Sequence, residues 1–395
     1  MQPVFRSNNR RFFLVAVVFL SLLGFVNCTK KGETGASAQA DLEALLLGEF
    51  GTMTGPESTF GISTHRGIMM AVEEANAAGG IKGKPIKVIS LDDQGRSDEA
   101  VTAVTKLVTQ ENVQLILGEV ASSRSIAAAP VAQKYKVPMI SPSSTNPRVT
   151  QVGDFIFRVC FIDPFQGKVM AKFAAQNLKM KTAAILRDIK SDYSVGLADF
   201  FAEDFQKMGG KIISDLSYSS GDADFKAQLT AIKLKKPDVL FIPGYYTEVG
   251  LIARQARELN YAGVLMGGDG WDSAKLTEIG GKAVVGGYFS SHYSPKSDKP
   301  VVQNFVSKYK EKYNGEVPNG LAAMGYDAAR VAIAAALSSP TLAPTDLRDA
   351  VAKTKEFEGV TGVISLNDER NAVKPAVVLK VMASNDYEYV TTVNP

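Results

Sequence analysis

The sequence predicts an α/β protein of two doubly wound, Rossmann-like lobes joined by a hinge of several strands. Three observations predict it. From Leu42 short apolar runs alternate with amphipathic helical stretches, the alternation starts afresh near Phe155, and after His292 the chain turns strongly helical before ending in two strand-like pieces. Alternating β and α segments specify a parallel sheet covered on both faces. The helical third region makes no α/β core of its own, so it returns to complete the first lobe. The chain then crosses between the lobes several times, which makes a hinge.

The first alternation runs as follows. Leu45–Phe50 is a strand, followed by the loop GTMTGPESTFG. Thr64–Ala77 is a helix with Ile68, Met69, Val72 and Ala75 on one stripe, stopped by Gly79-Gly80. Ile86–Leu91 is a strand, and Ser97 caps a helix to Gln110 with Ala100, Val101, Val104 and Val108 inward. Val113–Leu117 and Val137–Ile140 are strands flanking a helix over Ser125–Tyr135. The second alternation has strands at Phe155–Phe161, Ala183–Leu186, Lys211–Tyr218, Val239–Ile242, Val264–Met266 and Ala283–Ser290. Its helices are Pro164–Asn177, Val195–Met208, Asp224–Lys235 and Glu248–Leu259. Helices over Val301–Tyr313, Leu321–Ser338 and Thr345–Lys353 precede the closing strands Ala376–Met382 and Tyr387–Val393.

The N-terminus reads as an export leader. Arg6, Arg10 and Arg11 precede an apolar run, Phe12–Val26, in which Ser21 is the only polar residue. The run is shorter than the roughly twenty residues of a membrane span, although an N-terminal membrane anchor stays open. Cys28 follows it directly, as in a lipoprotein signal, although Phe25 and Asn27 stand where such signals carry Leu and a small residue. Lipidation at Cys28 would anchor the chain to a membrane; export with an unmodified cysteine is the alternative. The formal charge of +3 belongs to those three arginines, the only charged residues of 1–27, so the remaining chain is neutral and nucleic acid is a poor partner. Cys160, the one other cysteine, sits in the apolar FIFRVCF and reads as a core residue. The domains are therefore a leader at 1–27, a flexible tether at 28–41, a first lobe from 42–163 and 293–375, and a second from 164–292 and 376–395.

Catalytic signatures are missing. There is no phosphate loop, no GxGxxG and no GxSxG, and the only histidines, His65 and His292, form no HExxH pair and no evident Ser–His–Asp set. Neither a catalytic residue, a metal site nor a cofactor is expected. Two strand ends instead deliver hydroxyls to one sheet edge: Ser122, Ser123 and Ser125 after VQLIL, and Ser141, Ser143, Ser144 and Thr145 after VPMI. That edge is where open α/β sheets bind ligands, and hydroxyls with free backbone N–H groups suit a carboxylate. Asp269, set between glycines, would be the negative charge available to an ammonium.

Seven segments then occur in order: LGEFGTMTGP at Leu47–Pro56, AVEEANAAGGIKGK at Ala71–Lys84, SLDDQG at Ser90–Gly95, MISPSSTNP at Met139–Pro147, FIFRVCFIDPFQG at Phe155–Gly167, GYYTEVGLIARQARELN at Gly244–Asn260 and GGDGW at Gly267–Trp271. Together they closely resemble the periplasmic leucine/isoleucine/valine-binding proteins of ABC transporters, type I periplasmic binding proteins whose two lobes close over a ligand. The resemblance implies that Ser122, Ser143 and Thr145 grip the α-carboxylate and α-ammonium, that Tyr193, Tyr245 and Asp269 arrive with the second lobe, and that Phe60 packs on the ligand side chain. Trp271 lies beside these, and Asp163-Pro164 fall at the hinge. The chain departs from well-known members in carrying Asp269 for a glutamate, Ala121 for a cysteine and Phe60 for a tyrosine. The implied protein is an extracytoplasmic, monomeric, non-enzymatic carrier of a branched-chain amino acid, with membrane permease subunits as partners. A sensor, or a binder of another small acid or amide, is the alternative, with an enzyme a more distant one.

Overall fold

The computed structural model describes residues 43–383 and 386–395. The expected leader, tether and lipidated Cys28 lie outside the described residues. Strands β1 (Leu45–Gly51), β2 (Ile86–Asp92), β3 (Leu115–Leu117), β4 (Met139–Ser141) and β5 (Ile156–Arg158) form a wholly parallel sheet in the order β2-β1-β3-β4-β5. Helices α1 (Ser58–Ala77), α2 (Ser97–Thr109), α3 (Ser122–Tyr135) and the short α4 (Arg148–Gln151) follow the first four strands in turn.

After β5 the chain passes to a second sheet through α5 (Asp163–Lys172), which continues as one wide turn to Asn177. Strands β6 (Thr182–Asp188), β7 (Lys211–Tyr218), β8 (Val239–Phe241), β9 (Val264–Gly267) and β10 (Tyr288–Ser291) alternate there with α6 (Asp192–Lys207), α7 (Lys226–Lys235), α8 (Tyr246–Glu258) and α9 (Ala274–Gly280). The chain then returns in α10 (Pro300–Lys312), α11 (Gly320–Ser338) and α12 (Pro344–Ala352). A small antiparallel sheet of β11 (Phe357–Gly359), β12 (Gly362–Leu366) and β13 (Ala372–Val373) follows, and β14 (Ala376–Val381) and β15 (Tyr387–Val393) go back to the second sheet. That sheet has the order β15-β14-β10-β9-β8-β6-β7, with β14 and β15 antiparallel and the rest parallel. The fold is thus mixed α/β with two lobes, and the backbone passes between the two sheets three times.

Packing explains why the C-terminal helices come back. Val302, Phe305, Ala323 and Leu347 bury in one cluster with Leu45, Leu47 and Ile68, covering one face of the first sheet. Val104, Leu107, Ala128 and Ala132 cover the other with Ile116 and Met139. α1 and α11 approach closely because glycines meet backbone: a Cβ at Gly67 would fall 1.9 Å from the Ala322 carbonyl oxygen, and one at Gly325 would fall 2.3 Å from that of Thr64. Gly325→Ala is expected to cost about 1–3 kcal/mol through overpacking, read as a lower midpoint in urea; an unchanged midpoint would refute the close contact.

Several boundaries differ from expectation. α1 begins at Ser58 rather than Thr64, because loop carbonyls satisfy its first amides: Ser58 N–H donates to Gly55 (3.2 Å) and Gly61 N–H to Thr52 (3.1 Å). Its buried face carries Met70 rather than Met69. α2 is preceded by Arg96 in extended conformation, and Ser97 is its first residue, not its cap. α3 begins at Ser122, and Ala121 is its cap residue. β5 pairs only over Ile156–Arg158, since Val159–Phe161 already belong to the passage between sheets. Of the expected strand Ala283–Ser290, the first part is a tight turn ahead of β10. α4, α9 and β11–β13 are additions.

Candidate functional site

The carboxyl ends of the parallel strands of both sheets face one narrow cavity, about 10 Å³ as the lobes stand, lined by Phe60, Val120, Ser143, Tyr193, Tyr245, Asp269, Gly270 and Leu321. Each lobe contributes through element starts. Phe60 lies in the first turn of α1, Val120 precedes α3, Ser143 follows β4, and Leu321 begins α11. From the second lobe, Tyr193 lies in the first turn of α6, Tyr245 caps α8, and Asp269 and Gly270 form the turn after β9. Among the residues expected from the sequence, Phe60, Ser143, Tyr193, Tyr245 and Asp269 are brought together. Ser122 and Thr145 are buried but are not among the lining residues.

Their local bonds explain the difference. The Ser122 hydroxyl accepts from the Asn146 N–H (3.2 Å), tying α3 to the loop after β4. Thr145 accepts from the Asp163 N–H through its carbonyl (2.9 Å), while its hydroxyl is buried beside the Asp163 carboxyl without a hydrogen-bond partner. Most of the other serines are occupied as well. Ser141 and Ser144 both donate to the Glu119 carbonyl (2.7 and 2.8 Å), and Ser125 and Ser144 share a bond of 2.7 Å. The serine-rich loops are therefore largely stitched to each other, with Ser143 left facing the cavity. Beneath them, Arg158 is fully buried and donates to the carbonyls of Ser144 (2.6 Å), Asn146 (2.9 Å) and Pro147 (3.3 Å) and to the Thr150 hydroxyl (3.2 Å).

The cavity has two chemically distinct ends. At one, Phe60, Val120 and Leu321 are apolar, and Phe60 meets Tyr245 edge-on at 5.4 Å while Tyr245 stacks on Tyr193 at 5.2 Å. At the other, Asp269 Oδ2 accepts from Ser143 (3.3 Å) and lies 2.9 Å from His292 Nε2, while Oδ1 is buried with no protein partner. The Asp269 N–H is fixed by Gln166 (2.8 Å) and the Gly270 N–H by the Tyr193 hydroxyl (3.2 Å). Burial raises the Tyr193 phenol well above its usual range, the Asp269 charge adding to the effect, so it stays a neutral hydrogen-bonding group. Burial also pushes the Asp163 carboxyl up to about 8, partly offset by the Thr145 hydroxyl. Trp271 is buried and donates to the Ile242 carbonyl (2.9 Å), which makes it a support for the turn rather than a lining residue. Cys160 is a buried free thiol pushed up to about 12 by burial. Among the described residues no group of three or more His, Cys, Asp or Glu is placed to hold a metal ion.

The two lobes also touch directly around the cavity. The Asp192 N–H donates to the Ser123 hydroxyl (2.9 Å) and its carbonyl accepts from Asn146 Nδ2 (2.7 Å). On the other flank the Tyr246 and Thr247 hydroxyls both donate to the Pro56 carbonyl (2.8 Å each). Val120, Leu321, His292 and Arg158 escaped the sequence reading. The first two are ordinary apolar residues, and the signal for His292 is only that it directly follows a strand of the second lobe.

An interlobe cavity with a lone carboxylate oxygen and an apolar wall is a site built to hold something small, and relatives of the chain do so. Residues 47–386 match the periplasmic binding protein family. The leucine-binding protein LivK of Thermotoga maritima is 40% identical, with a TM-score of 0.86 over 89% of this chain and 99% of that one. The branched-chain amino acid transporter substrate-binding protein LivJ of Streptococcus pneumoniae, solved in complex with isoleucine, is 34% identical, with a TM-score of 0.84 over 89% of this chain and 100% of that one. A leucine-, isoleucine-, valine-, threonine- and alanine-binding protein of Pseudomonas aeruginosa is 30% identical over 86% of this chain and 90% of its own length. Fold, cavity and relatives agree, and the chain belongs to the periplasmic binding protein family, among its branched-chain amino acid type I members.

Proposed function

We propose that the protein captures an aliphatic α-amino acid, leucine, isoleucine or valine, between its lobes outside the cytoplasmic membrane and hands it to the permease of an ABC transporter. The observation that carries this reading is the polarity of the cavity: a buried carboxylate oxygen without a partner at one end, and Phe60, Val120 and Leu321 at the other. An ammonium matches the first and a branched aliphatic side chain the second. The carboxylate would meet the amides of the loops after β3 and β4, where Ser122 and Thr145 hold the backbone in place. In the open state the ligand docks on the first lobe. The second lobe then brings Asp269, Tyr193 and Tyr245, and contacts made only on closure pull the population there.

A thermal-shift panel of the twenty amino acids tests it. Leucine, isoleucine or valine at about one hundred times its Kd should stabilise the protein by about 2.7 kcal/mol through mass action. A flat response to every aliphatic amino acid would overturn the reading.

A further inference from the structure

We propose that His292 is a positioning residue of this site: neutral, it holds the Asp269 carboxylate ready for an ammonium, and on taking up a proton it weakens ligand binding. The proposal rests on the amino-acid reading above. His292 follows β10, where the chain leaves the second sheet, and it is almost fully buried. Its Nε2 lies 2.9 Å from Asp269 Oδ2 and 3.2 Å from the Ser143 hydroxyl oxygen of the first lobe. Its ring stacks on Phe161, centroids 4.0 Å apart, and Phe161 belongs to the passage after β5. The imidazole is therefore wedged between two crossings of the hinge and touches both halves of the site.

A carboxylate only accepts hydrogen bonds, so Nε2 carries the proton and donates it to Oδ2. The two carboxylate oxygens then divide their roles. Oδ2 is taken by His292 and Ser143, while Oδ1, buried and without a partner in a residue that lines the cavity, is left for the ligand. The other ring nitrogen, Nδ1, is also buried and without a partner. As a bare lone pair it is tolerable; as N–H it would be a buried donor with no acceptor on an imidazolium that cancels the Asp269 charge. The charged groups around the ring act in two directions: Asp269 favours its protonation, and the buried Lys374 amine opposes it. Asp163 and Cys160 stand around the carboxylate, and burial keeps the Cys160 thiol protonated. Burial wins, and His292 is pulled below its usual value in the closed protein.

The sign follows. An imidazole exposed in the open cleft titrates near about 6.5. If the closed form excludes the proton, closure releases it, and affinity falls as the pH drops below that value, at most about tenfold per unit for one proton. Asp272, Glu57 and Asp163, whose carboxyls burial pushes up to about 6, about 7 and about 8, bend the overall profile the other way. The test therefore uses the ratio of wild type to His292→Gln, whose amide still donates to Oδ2 but never charges. By titration calorimetry with leucine, wild type should lose about tenfold in affinity relative to His292→Gln between about pH 7.5 and about pH 5. His292→Phe, which removes the donor, should be weaker than His292→Gln at both. Parallel pH profiles, or equal affinities for the Phe and Gln variants, would overturn the proposal. A second measurement needs no ligand. His65 and His292 are the only histidines, so ring-nitrogen NMR with His65→Gln as reference reports the tautomer. Nε2–H supports the proposal and Nδ1–H overturns it. Failure of leucine to bind wild type at any pH would instead refute the functional reading, and the tautomer would still decide the role of His292.

Discussion

Asp269→Ala is expected to cost leucine affinity about 3–5 kcal/mol, because an ammonium would be left buried without its counter-charge. That corresponds to a fall of roughly two to nearly four powers of ten in affinity. The geometry explains why no neighbour takes over: Ser143 donates to Asp269 and has only a hydroxyl to offer, and the Tyr193 hydroxyl is engaged with the Gly270 N–H. Asp269→Asn separates charge from shape. It keeps the side-chain size, loses the negative charge, and should be nearly as weak as the alanine variant. Calorimetry on both variants checks this, and leucine affinity within about twofold of wild type in either would remove Asp269 from the ammonium role.

Arg158→Ala should lower global stability by about 3–5 kcal/mol, since it strips donors from three carbonyls and a buried hydroxyl at once, although the Asn146 carbonyl keeps the Val149 N–H and the Thr150 hydroxyl keeps Asn371. Arg158 makes no ion pair among the described residues; burial pulls its guanidinium below the usual range, and its value to the protein is its fork of donors. The unfolding midpoint should fall by roughly 4–7 °C. Leucine affinity should drop as well, because Ser143 sits in the loop those donors hold. Arg158→Lys offers a point charge without the fork and should recover only part of either loss. A melting midpoint unmoved by Arg158→Ala would show that the loop is held by its serines alone.

The alternation of strands and helices was legible because each parallel strand is buried on both faces and so reads as an apolar run between turn residues. Its limits are physical. Phe60 looked like part of a loop, since TGPESTFG is rich in turn formers, yet α1 starts at Ser58 on carbonyls supplied by Gly55 and Thr52. Ala283-Val284-Val285 is apolar enough for a strand, but only Val284 is buried, and Gly286-Gly287 follow at once. β11–β13 are too short for alternation to show. For the candidate site, Asp269 stood out because glycines flank it and a cleft needs a charge. His292 did not, since its partner Ser143 lies 149 positions away in the sequence and only the crossing of the hinge brings them together. The serine-rich loop was legible as a cluster of hydroxyls, but not how many of them are spent on the Glu119 carbonyl.

The three passages of backbone between the sheets limit how the molecule can respond. One connecting strand would let the lobes swivel, and two would still let them twist about each other. Three parallel tethers resist torsion and leave bending as the soft coordinate. A ligand too bulky to let the lobes meet at Asp192–Ser123 and Tyr246–Pro56 would therefore hold the jaws at a wider angle rather than skewing them. Any membrane partner that inspects the outer rims would then be reading a single number, the width of the gape, and ligand quality would reach it as a length.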